Sequence, residues 1–145
     1  MGSQPDQAND LERLWQALLL TGWQCLVVIP ADSATASESV LGALRAVISG
    51  GGGTMPEVVD GRGCSMKEGD QLARAVSENG SAGRRVVAFI DPITQSLAGV
   101  PLVRAADSAL LVIQVDFPDV EALASTLSIV GAERVVGSVT VPASS

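Results

Sequence analysis

Histidine and tyrosine are absent from the chain, lysine occurs once (Lys67), cysteine occurs twice, and aromatic side chains make up only 3% of 145 residues. Without histidine there is no imidazole general base, no Ser-His-Asp or Cys-His relay, and no metal site built on imidazole. Two thiols cannot form a four-thiolate zinc site. The scarcity of aromatics leaves little on which nucleic-acid bases could stack. Positive charge is also short: 9 Lys and Arg against 16 Asp and Glu give a net charge of −7. An acidic chain of this kind lacks the positive field that a nucleic-acid backbone or an anionic membrane requires.

Long hydrophobic runs are missing as well. The greasiest stretch, Leu14 to Ile29, is interrupted by Gln16, Thr21, Gly22 and Gln24 and falls short of the ~20 apolar residues of a spanning helix. The first residues carry no basic segment of the kind that opens a signal peptide. These features lead to the expectation of a cytoplasmic protein with reduced thiols, Cys25 in a buried strand and Cys64 in a loop or helix start. A helix start beside Arg62 would lower the Cys64 pKa, but an ordinary surface thiol is the preferred reading.

What is present is core. Hydrophobic residues make up 47% of the chain and charged ones 17%, enough for one domain spanning 1–145 with short flexible tails at 1–9 and 142–145. Leu11, Leu14, Trp15, Leu18 and Leu19 recur at helical spacing, with Gly22 as the stop. Cys25 to Ile29 is a continuous apolar run ended by Pro30, the pattern of a strand covered on both faces. A helix at about Ser37 to Ser49 follows, then the glycine run from Gly50. Glu57 to Asp60 predicts a short edge strand behind Pro56, and a helix from about Ser65 to Glu78 is closed by Asn79-Gly80. Arg85 to Ile90 and Ala109 to Val115 predict buried strands, with a loop or short helix between them. Asp116 and Pro118 open a helix running to about Val130, and Arg134 to Val141 predicts the last strand. This alternation implies an α/β fold: an open parallel sheet of about five strands with helices on both faces.

In such sheets ligands sit beyond the carboxyl ends of the strands. The loop after the first strand, with Asp32, Ser33, Thr35 and Ser37, leads into a helix N-terminus whose free N–H groups suit an anion. A phosphate-cradling loop also needs glycines and a lysine, and this one has neither. The simpler reading is that Thr35 or Ser37 caps a helix. Gly61 to Glu68 has glycines and Lys67, but Met66 precedes the lysine and Glu68 follows it, where a nucleotide loop needs glycine and a hydroxyl. Asp91 ends an apolar strand, the place of a magnesium-ordering aspartate in nucleotide-hydrolysing folds, although the preferred reading of the spacing alone is a loop cap before Pro92. A phosphoacceptor receiver domain would need a lysine after a late strand, where there is none.

Several of these segments together resemble the cytoplasmic kinase domain of bacterial tyrosine kinases of capsule and exopolysaccharide export, within the P-loop ATPases. The resemblance rests on the helix Leu11 to Leu20 before the strand Cys25 to Ile29, on Val86-Val87-Ala88-Phe89-Ile90-Asp91-Pro92, on Ala106-Asp107 before the run Ala109 to Ile113, and on Val135-Val136-Gly137-Ser138-Val139. It implies the strand order 2-3-1-4-5; a flavodoxin-like chain would give 2-1-3-4-5. The departures share a direction. Ala31 to Ser37 stands where the family has its Walker A motif, the strand of the second acidic Walker motif is cut down to Glu57 to Asp60, and the C-terminal tyrosine cluster is missing. Each departure removes a part that phosphoryl transfer needs. The expectation is therefore a catalytically degenerate domain with no cofactor and no binding of ATP with magnesium. It would act through a protein partner, such as a membrane polysaccharide co-polymerase, or through self-association. The alternative is that Asp32, Ser33, Thr35, Ser37 and Asp91 line a crevice for a nucleotide or sugar phosphate.

Overall fold

The computed structural model describes residues 12–31, 38–50, 56–81, 83–114 and 119–141. A helix over 12–19 (α1) precedes β1 (Cys25–Pro30), α2 (Glu38–Gly50), β2 (Glu57–Asp60), α3 (Met66–Ser81), β3 (Val86–Phe89), α4 (Val100–Ala105), β4 (Ser108–Gln114), α5 (Val120–Val130) and β5 (Val135–Val141). The five strands form one parallel sheet in the order β2-β3-β1-β4-β5. This is the 2-3-1-4-5 arrangement and not the flavodoxin-like one.

Continuous hydrophobicity in β1 has the expected cause: all six of its residues are buried. Alternate side chains serve opposite layers. Leu26 and Val28, with Val87, Phe89, Leu110 and Val112, meet Trp15 and Leu18 of α1 and Leu44 and Ile48 of α2. Cys25, Val27 and Ile29, with Val86, Ala88 and Leu111, meet Val76 of α3, Leu102 and Val103 of α4 and Val130 of α5. The result is three layers.

At the amino end of the sheet, Arg85 holds α1 in place. Its guanidinium donates to the Leu19 and Thr21 carbonyls at 3.1 and 2.6 Å and lies 4.6 Å from the centre of the Trp23 ring. Trp23 Nε1 donates to the Leu18 carbonyl at 2.7 Å. The last carbonyls of a helix have no partner within it, and these side chains supply partners. Nearby, Asp107 accepts from the backbone N–H groups of Gln24 and Cys25 at 2.8 and 3.1 Å, fixing the start of β1 against the start of β4.

Three helix and strand ends differ from the sequence reading. Asn79-Gly80 does not close α3, which runs on to Ser81. Asn79 is held inside the helix by a bond from its Nδ2 to Glu57 Oε2 at 2.8 Å. Gly83, at φ +83°, makes the left-handed turn that ends it, with Arg84 N donating to the Asn79 carbonyl. The cap of α5 is Asp119, whose carboxylate accepts from Ala122 N at 3.0 Å; the stretch 115–118, with Asp116 and Pro118, lies outside the described residues. Pro30 belongs to β1 as its final residue, where a missing N–H costs the ladder least. Among the described residues no helix is long and apolar enough to cross a membrane.

Candidate functional site

The carboxyl ends of β2 and β3 deliver Asp60 and Asp91 to neighbouring loops, because Asp60 pairs in register with Phe89. Asp60 is clamped from two sides. Arg62 donates to it from Nε at 2.9 Å, from Nη2 at 3.0 Å and from its own backbone N–H at 3.1 Å. Arg45 reaches across from α2 to the same carboxylate at 3.0 Å, its guanidinium 5.3 Å from the centre of the Phe89 ring. Charge-assisted bonds of this kind favour the ionised form. The Arg62 side chain above all, with Arg45 adding to it, holds the Asp60 carboxyl well below the usual carboxylate range.

Asp91 faces the same loop. Its Oδ2 accepts from Gly63 N at 2.7 Å, a bond that ties the loop after β3 to the loop after β2. Gly63 presents that N–H from a left-handed turn, φ +72°, which a residue with a side chain adopts only at a cost. Cys64 Sγ donates to the Gly61 carbonyl at 3.0 Å. Its thiol pKa is raised, first by burial and then by Glu68, Asp91 and Asp60 nearby. The activated-thiol alternative for Cys64 is thereby corrected: Arg62 spends its charge on Asp60, and carboxylates surround the sulfur. Burial likewise pushes the Cys25 thiol up, to about 12. Both cysteines are free thiols.

The glycines in Gly61 to Glu68 therefore have roles within the chain itself. Ser65 and Glu68 form a reciprocal capping box: Ser65 N donates to Glu68 Oε1 at 2.9 Å and Glu68 N to Ser65 Oγ at 3.2 Å. The bonds from Ser65 hold the Glu68 pKa below its ordinary value. Lys67 is exposed on the first turn of α3. The segment is a turn, a clamp and a helix start.

No family model matches the chain, and no curated protein does.

Of the five residues named from sequence, Asp91 is described and sits against Gly63. Asp32, Ser33, Thr35 and Ser37 lie in 32–37, outside the described residues. Among the described residues no group of three His, Cys, Asp or Glu is placed to hold a metal ion. Sequence reasoning missed the cluster of Arg45, Asp60 and Arg62. A signal for it existed: Arg45 occupies a position next to Leu44 and three before Ile48, so a guanidinium emerges at the margin of the buried stripe of α2.

Proposed function

We propose that this chain is a non-catalytic α/β domain that works by binding a protein partner. The observation that carries this reading is the state of the two carboxylates at the carboxyl end of the sheet. Asp60 is saturated by Arg62 and Arg45, and Asp91 is engaged by the Gly63 N–H. A magnesium-ordering carboxylate needs oxygens turned to the metal and its waters, and here both Asp60 oxygens and Asp91 Oδ2 accept bonds from the protein's own groups. The lack of a lysine and of glycines in Ala31 to Ser37 points the same way.

The resemblance to the tyrosine kinases of polysaccharide export supplies the setting of this proposal. The domain would sit in the cytoplasm as an assembly or regulatory component, with the cytoplasmic part of a membrane co-polymerase as partner. Co-purification with such a co-polymerase is the check on that setting. Thermal unfolding in ATP, GTP and nucleotide sugars, each with magnesium, tests the non-catalytic part. The expected result is an unchanged Tm. A ligand-induced rise that disappears in Asp91→Ala would overturn it in favour of a nucleotide or sugar-phosphate crevice.

A further inference from the structure

We propose that Asn79 is a modification site, converted to aspartate or isoaspartate when the last turn of α3 opens, and that the bond from its side chain to Glu57 of β2 holds it closed. This inference does not depend on the partner-binding reading. The chain has two asparagines, Asn9 and Asn79, and only Asn79 is followed by glycine. Glycine matters here because it has no Cβ to shield its backbone nitrogen and resists least when the chain leaves helical geometry. The reaction consumes only water. The Gly80 nitrogen bonds to Asn79 Cγ, the Cγ–Nδ2 bond breaks, and the proton lost by Gly80 passes through solvent to the nitrogen that leaves as ammonia. Water then opens the cyclic imide at either of its carbonyls, which gives aspartate or isoaspartate at position 79.

The fold blocks this step in two ways. Asn79 and Gly80 both lie in α3, which runs to Ser81. In a helix the Cα–Cβ bond tilts toward the N-terminus, so Asn79 Cγ is directed away from the Gly80 nitrogen, whose N–H turns back to the carbonyl four residues earlier. The side chain is then held in that place, because Asn79 Nδ2 donates to Glu57 Oε2 at 2.8 Å. Glu57 is anchored in turn by its backbone N–H, which donates to the Arg85 carbonyl at 2.9 Å. The turn that gives this protection is weakened by its own sequence. Gly80 costs a helix interior about 1 kcal/mol relative to alanine, and the left-handed turn at Gly83 comes soon after it. Helix ends open at free energies well below that of global unfolding, so a single bond from Glu57 weighs heavily in keeping this one shut. Conversion reverses the sign of the contact. A carboxylate at position 79 has no N–H to donate and faces the Glu57 carboxylate, and isoaspartate adds a methylene to the backbone inside the helix. The opening becomes permanent, and β2, the edge strand that ends in Asp60, loses this tie to α3.

Peptide mapping by mass spectrometry tests the site, on the full chain held at mildly alkaline pH and on the same chain in urea as the unfolded reference. Conversion at Asn79 is expected to run roughly tenfold or more slower in the folded chain than in urea. Folded Glu57→Ala is expected to convert about threefold or more faster than the folded native chain, with no difference between the two in urea. Glu57→Gln, which keeps an acceptor oxygen, is expected to fall between them. It is also the deciding variant should circular dichroism show that Glu57→Ala disturbs the fold. Asn79→Asp, the product made by mutation, is expected to lower Tm, and Glu57→Gln in the same chain to restore part of the loss. A folded native chain that converts as fast as in urea, a folded Glu57 variant that converts no faster than the native chain, or an Asn79→Asp chain with unchanged Tm would each overturn the proposal.

Discussion

Asp60 is stabilised as a carboxylate by Arg62 and Arg45, which makes part of the stability of the fold sensitive to acid. Its folded pKa lies below the unfolded value of about 4. From about pH 4 downward the unfolded chain binds this proton before the folded one does, so stability falls as pH falls through that window. In Asp60→Asn the contribution is missing at every pH. Urea midpoints measured as the pH is lowered below about 4 are expected to drop less steeply in the variant than in the native chain, and an equal slope would contradict the clamp. Two glycines give a contrast in sign. A Cβ on Gly69 would lie 2.1 Å from the Ala98 carbonyl oxygen, whereas one on Gly42 meets nothing within 4 Å. Gly69→Ala is expected to destabilise by about 1–3 kcal/mol through forced displacement of α3. Gly42→Ala, at an open helical position, is expected to stabilise by about 0.5–1 kcal/mol; denaturant titration reads both. For the thiols, raised pKa values at both sites predict slow alkylation at neutral pH, with Cys64 reacting before the buried Cys25. Rapid labelling of Cys64 would contradict the carboxylate surroundings assigned to it.

At the scale of the element, the ends explain more than the middles. α3 starts on the Ser65 and Glu68 capping box, so Ser65→Ala is expected to cost about 1 kcal/mol in equilibrium unfolding. The start of β1 hangs on Asp107. Asp107→Ala would leave two backbone N–H groups without their acceptor, and a loss of about 1–3 kcal/mol is expected by the same measurement. The interiors of these elements were legible in the sequence because periodicity and continuous apolar runs record burial directly. The ends were less so. Asn79-Gly80 has the composition of a helix stop, yet Asn79 is recruited by Glu57 from another strand and the turn falls at Gly83. Contacts such as Arg85 with the Leu19 carbonyl join residues 66 apart and leave no local pattern to read.

For the whole molecule, hydrophobic runs established a parallel sheet but were equally compatible with two strand orders. Family resemblance favoured 2-3-1-4-5, and β3 and β4 do flank β1. The acidic, exposed composition of β2 is the sequence-level trace of its place at the edge. The candidate site was legible in part. Asp91 stood out as a strand-end aspartate, whereas Arg45 comes to Asp60 from α2 and joins the local Asp60–Arg62 pair only in the fold. These contacts frame the proposed role: a parallel sheet in the order 2-3-1-4-5 at whose carboxyl end Asp60 and Asp91 accept bonds from the protein's own groups. Isothermal titration of the native chain with ATP and magnesium tests that role most directly. The account expects no saturable heat up to millimolar nucleotide; a saturable isotherm with micromolar affinity would contradict it.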